Sequence, residues 1–160
     1  MNERLVAEAN QRAKAGDMLV HVGDFACKGA EKGVAGSKLP WTHYAGQFVS
    51  DLVLLEGNHD KQNHVKTVGQ HLFGRIGPYK FFASHLPTDN ENQDPLLMDF
   101  VRRTCHFAIV GHVHDKWRTT WRDGIFNINV GVDANDYRPV SDDELIVLYQ
   151  MEPKEKRGIK

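Results

Sequence analysis

The sequence predicts an α/β fold, and three observations carry that prediction. Short apolar runs of strand length alternate with amphipathic stretches of helical spacing along a chain of 160 residues. Four of the apolar runs break off at a polar, chemically capable group, three of them through a glycine: Gly23, Gly57 and Gly111. No internal repeat or low-complexity segment competes with this reading.

Each element has its own justification. Leu5, Val6 and Ala9 fall near helical spacing with Ala13 one turn on, and Gly16 supplies a stop, so the chain opens with an amphipathic helix. "MLVHVGD" is a short buried strand ending at Gly23 and Asp24. "FACKGAEKGVAGSKLP", rich in Gly and Lys, reads as a long loop, and "WTHYAGQF" as a helix. "DLVLLEGNHD" is a second strand running into a loop. Residues 61 to 76 have weak periodicity, which predicts a short helix and then irregular chain. "PYKFFASHLP" is a third strand ending at His85, with Pro87 forcing the chain out of it. "DPLLMDFVRR" is a helix with Pro95 near its first turn. "HFAIVGHVHD" is a fourth strand, and "KWRTTW" and "IFNINVGVD" are a strand pair joined at "RDG". "SDDELIVLYQ" opens with a capping-box arrangement, Ser141 with Glu144. It continues either as a helix or, through Ile146, Val147 and Leu148, as a last strand.

Composition narrows the class. The length is that of one domain, expected over residues 1–150, with a basic tail over 151–160 that reads as a frayed terminus. Hydrophobic residues make up 41% and charged residues 26%, as in ordinary globular proteins. Lys and Arg total 20 against 21 Asp and Glu, a net charge of -1, so charge alone does not point to nucleic acid. Cys27 and Cys105 lie outside any CxxC pattern and read as reduced thiols of a cytoplasmic protein. No run approaches the ~18 apolar residues of a membrane span, and no signal peptide opens the chain.

The strand ends carry the chemistry. They bear Asp24 in "HVGDF", Asn58, His59 and Asp60 in "EGNHDK", His85 in "ASHLP", and His112 and His114 in "VGHVHD". In open α/β sheets, ligands bind at the carboxyl ends of strands, where distant sequence positions meet. Glycine before three of these groups (Gly23, Gly57 and Gly111) allows a sharp turn and leaves the side chain facing a cleft. The mix of carboxylate, amide oxygen and imidazole suits manganese, iron, zinc or a similar ion. Taken singly, Asp24 is an ordinary turn residue and His85 an ordinary hydrogen-bonded core histidine. Four such coincidences at four strand ends are far less probable than one site.

The series "GD…GNHD…H…GHVH" resembles the signature of the calcineurin-like metallophosphoesterases, in the same order. The resemblance runs from about residue 1 to residue 149, because "NVGVDANDYRPVSDDEL" is also similar to the tail of compact bacterial and phage members. It implies a four-layer αββα sandwich and hydrolysis of a phosphate mono- or diester by metal-bound hydroxide. The expected cofactor is a divalent ion, manganese first, with iron, zinc or nickel as alternatives. By the same resemblance Asp24 bridges two ions, Asn58, His85 and His112 complete one site, and His114 serves the other. His59 protonates the leaving oxygen, with Asp60 fixing its tautomer.

One motif of that family is missing. Its members begin with a strand ending in Asp-x-His, whereas only Asp17 and His21 precede Asp24 here, at the wrong spacing. The resemblance therefore implies an absent first strand, an unpaired strand edge and an incomplete second metal site. A fragment or misplaced start, a naturally shortened relative, and an edge supplied by a partner chain all remain open. Two other readings compete with the hydrolase: a non-catalytic, metal-stabilised binding module, and a nuclease of the same family. Lys28, Lys32 and Lys38 could meet a phosphate-bearing substrate but read more simply as a solvated loop face. Trp41, Trp117 and Trp121 could stack on a base but read more simply as core or sheet packing.

Overall fold

The computed structural model describes residues 2–26 and 40–153. The chain runs through α1 (Asn2–Arg12), β1 (Met18–His21), α2 (Trp41–Ala45), β2 (Asp51–Leu54) and a 3-10 turn (Asp60–Asn63). It continues through β3 (His71–Ile76), β4 (Tyr79–Ser84), α3 (Pro95–Thr104), β5 (Phe107–Val110), β6 (Thr119–Arg122) and β7 (Ile125–Asn129). A 3-10 turn (Val132–Ala134) and α4 (Asp142–Gln150) close it. No helix among the described residues is long and apolar enough to cross a membrane.

The strands form two sheets. β1 and β2 pair in parallel, Met18 opposite Asp51 and His21 opposite Leu54. The larger sheet has the order β3-β4-β5-β7-β6, with β4, β5 and β7 parallel and two antiparallel hairpins at its ends. Both hairpins have two-residue turns. The β6–β7 turn, Asp123-Gly124, holds both residues at positive φ (49° and 75°), the type I′ geometry that matches strand twist.

Alternation along the central strands explains the layers. Phe107 and Ile109 of β5, Ala83 of β4 and Phe126 and Ile128 of β7 face one core, together with Val22, Leu55, Leu145 and Tyr149. Phe82, Ala108, Val110 and Ile125 face the other way, onto Met98 and Val101 of α3. A strand buried on both faces needs continuous apolar sequence, and β5 is buried at all four positions. Each fully buried Phe contributes roughly 1.5–3 kcal/mol.

One expectation needs adjusting, and one choice left open is decided. Residues 71 to 76, expected as irregular chain, form β3. This edge strand reads weakly because only alternate residues turn inward and Gly74 interrupts them. A methyl at Gly74 would fall 2.5 Å from the Phe81 ring on β4, so close pairing with β4 explains the glycine. The "DELIVLYQ" segment, for which helix and strand both fit the sequence, is α4. Its capping box is complete, with the Ser141 hydroxyl accepting from the Glu144 amide and the Glu144 carboxylate from the Ser141 amide. The Gly- and Lys-rich loop, including Cys27, Lys28, Lys32 and Lys38, lies outside the described residues, as does most of the basic tail.

Among the described residues β1 pairs with β2 alone. Beside its other edge a cleft of about 490 Å3 separates the two sheets. It is walled by apolar side chains such as Val20, Ile76, Phe81 and Val140, and it reaches Asp24, His112 and His114.

Candidate functional site

β1, β2, β4 and β5 all point their carboxyl ends at the same place. Gly23, just past β1, has φ 81°, and a methyl there would fall 2.7 Å from the His85 side chain. Gly57 is required by closeness, since its methyl would lie 2.2 Å from the Asp24 amide nitrogen. Of the three glycines only Gly23 has positive φ. The same conformation is found in the site residues themselves: Asp24 (57°), His112 (65°) and His114 (51°). Left-handed backbone costs a non-glycine residue roughly 1–3 kcal/mol, and three such residues gather at one cleft.

Four of the expected ligands come together. His85 Nε2 lies 2.9 Å from Asn58 Oδ1 and 3.1 Å from Asp24 Oδ2. His112 Nδ1 lies 3.2 Å from both Asn58 Oδ1 and His85 Nε2. His85 is itself buried, and its Nδ1–H donates to the Val22 carbonyl at 3.0 Å, which turns Nε2 toward the cluster. The atoms touch one another, so among the described residues no three His, Cys, Asp or Glu side chains stand open around a cation position. Their separations are nonetheless those of neighbouring donors about a six-coordinate ion with bonds of ~2.0–2.3 Å. One carboxylate, one amide oxygen and two imidazoles make a donor set that fits a borderline divalent cation.

The charges support one another. Burial raises the Asp24 carboxyl, but hydrogen bonds from His85 and from the His59 amide outweigh it and hold it below the usual carboxylate range. Burial lowers His85, but the bond to Asp24 and the Val22 carbonyl outweigh it and raise the imidazole above its ordinary value. Burial and repulsion from His85 lower His112. Just below, the ring of His21 is pushed down to about 4, first by burial. Its Nδ1 is buried with no hydrogen-bond partner among the described residues, and its ring meets that of Phe25 in a T-shaped contact.

The remaining motif residues divide. His59 is half-buried and lines the cleft beside Asp24. Asp60 does not act as its orienter. The Asp60 carboxylate is fully buried and accepts from the backbone amides of Asp24 (2.7 Å), Ala26 (3.1 Å) and Gly57 (2.9 Å), riveting the loop after β1 to the loop after β2. His114 stands at the cleft mouth, with Nδ1 donating to Asp133 Oδ2 at 2.9 Å.

Two residues that sequence reasoning passed over hold this end of the site. Asp133 meets the His114 ring. Asn129, fully buried at the end of β7, donates to the carbonyls of His114 (2.7 Å) and Trp117 (2.8 Å). Asn135 in turn donates to the carbonyls of Asn129 and Gly131. The signal available in sequence was "NVGVDAN", polar residues spaced along a strand end like those of the other four. Trp117 and Trp121 pack partly buried against the two cores, and the Trp41 ring meets Phe25, in keeping with the packing role.

No protein-family model matches the chain, and no curated protein does. Among solved structures, a protein of unknown function, AQ665 from Aquifex aeolicus, matches with a TM-score of 0.66 at 20% identity, over 92% of this chain and 84% of that one. Two looser likenesses are a single mutant of Vps29 from Entamoeba histolytica, TM-score 0.46, 16% identity, 81% of this chain and 62% of that one, and a predicted phosphoesterase from Streptococcus pneumoniae, TM-score 0.44, 16% identity, 81% and 63%. Likeness at these identities speaks to fold alone, and the α/β fold of the chain is shared with the Aquifex aeolicus protein.

Proposed function

We propose that this chain is a metal-dependent phosphoesterase acting on a phosphate mono- or diester. The observation that carries the reading is the convergence of Asp24, Asn58, His85 and His112, from four separate strand ends, into contacts of 2.9–3.2 Å. Those four side chains would hold a divalent cation, manganese first, with iron, zinc or nickel as alternatives. When bound, such an ion supplies Lewis-acid polarisation of the phosphate and acidifies the attacking water. The chain's own groups do the rest. Asp24, kept ionised by its neighbours, offsets the cation's charge. His59, which lines the cleft, would give a proton to the departing oxygen, a contribution typically worth ~10²–10⁴ in rate.

A second reading has one observation in its favour. Because Asp60 is spent on three backbone amides, His59 lacks the carboxylate orienter expected of an acid, as in a metal-stabilised binding module without turnover. Hydrolysis of bis(p-nitrophenyl) phosphate with added Mn2+ separates the two. The hydrolase reading expects His59→Ala to lose about 10²-fold or more while still taking up Mn2+. Equal turnover by both proteins removes the assigned chemistry from this site. Mn2+ uptake with no turnover by either selects the binding module. The nuclease reading gains no support from the net charge of -1.

A further inference from the structure

His114 is an exposed residue of the site. Its side chain is 77% exposed, yet its position is defined twice over. Asn129 holds its main chain in left-handed conformation through a buried amide, and Asp133 takes its Nδ1–H at 2.9 Å. Both holding residues come from the single stretch that ends β7 and enters the following 3-10 turn. Gly131, between them, donates its amide to Asn129 Oδ1, and a methyl there would lie 2.9 Å from that oxygen. Bending the chain this tightly carries Asp133 back over the His114 ring.

We propose that Asp133 is a positioning residue that fixes the tautomer and orientation of His114. A carboxylate oxygen can only accept, so in the neutral ring the proton must sit on Nδ1 and the lone pair on Nε2. An unrestrained neutral histidine favours the opposite tautomer, with the proton on Nε2. Asp133 thus converts His114 from an N–H donor at the cleft mouth into an electron-pair donor, the outer-sphere carboxylate arrangement common for metal-binding imidazoles. That consequence rests on the phosphoesterase reading; the tautomer assignment does not. Asp133 acts through His114 and does not itself touch the reacting atoms.

The test uses the full chain, 15N-labelled at histidine and free of metal, above neutral pH. Long-range 1H–15N spectra, with the signal identified by His114→Gln, should show the Nδ1–H tautomer in the wild type and mainly Nε2–H in Asp133→Ala. Asp133→Glu, which keeps a carboxylate, should restore much of the wild-type pattern. Calorimetric titration with Mn2+ should then show the site of Asp24, Asn58, His85 and His112 unchanged in Asp133→Ala. An unchanged tautomer in Asp133→Ala overturns the proposal. Wild-type protein that takes up no Mn2+ at all overturns the phosphoesterase reading instead, and the spectra still decide the role of Asp133.

Discussion

Asp60 shows how a motif residue can be read correctly as important and wrongly as to its work. Its buried carboxylate is the common acceptor for three amides from two loops, so truncation strands all three donors. Asp60→Ala should lower the unfolding free energy by about 2–4 kcal/mol in urea denaturation, since each buried unsatisfied group costs ~1–3 kcal/mol and water recovers part of it. A loss near zero would mean that the loops do not depend on this rivet. Gly57 makes the complementary case. A methyl 2.2 Å from the Asp24 nitrogen and 2.3 Å from its Oδ1 must push that residue aside. Gly57→Ala should therefore abolish tight Mn2+ uptake in calorimetry while far-UV circular dichroism stays near wild type. Asp24, Asn58, His85 and His112 were legible because each closes an apolar run with a metal-capable group. Asp133 was not, because its significance lies in a bond to a residue 19 positions earlier.

Elements with local reasons to form were the legible ones. α3 has Pro95 at its first turn and an Asp94 cap accepting from the Leu96 and Leu97 amides, all within four residues. α4 was ambiguous because Ile146, Val147 and Leu148 favour strand while the capping box favours helix, and the box prevailed. Ser141→Ala should cost about 1 kcal/mol by chemical denaturation. Glu144 also ties α4 to α1 and to the preceding loop, through Arg12 (2.9 Å) and Arg138 (2.7 Å). Burial raises its carboxyl, but the Ser141 amide and the two arginines outweigh this and bring it from 4.5 down to about 2. A depressed carboxyl binds its proton more readily in the unfolded chain. Its contribution is therefore fully present above pH ~4.5 and is lost as pH falls toward 2. Glu144→Gln should flatten the stability profile over that interval, and an identical profile in the variant would remove Glu144 as its source. β3 escaped notice for the opposite reason, since an edge strand with one inward face takes its register from its neighbour.

At the scale of the molecule, the site depends on a sheet whose middle is buried on both faces. Phe107 begins β5 and is fully buried, while the strand's other end, Val110, lies ~10 Å away at 3.3 Å per residue and leads on to Gly111 and His112. Phe107→Ala should cost about 3–5 kcal/mol in stability but leave Mn2+ affinity per folded molecule within about twofold. A much larger fall in affinity would mean that core and site are coupled more tightly than the separation of the two ends of β5 suggests. By itself the sequence determined the α/β class, most element positions and the residue types at four strand ends, because periodicity, caps and turn residues act over a few positions. Only the tertiary structure decided that Asp60 is a rivet, that an apolar cleft leads to the site, and that Asn129 and Asp133 hold His114. Those facts rest on contacts between segments far apart in the chain, and no local pattern encodes which oxygen will meet which hydrogen once the sheets have packed.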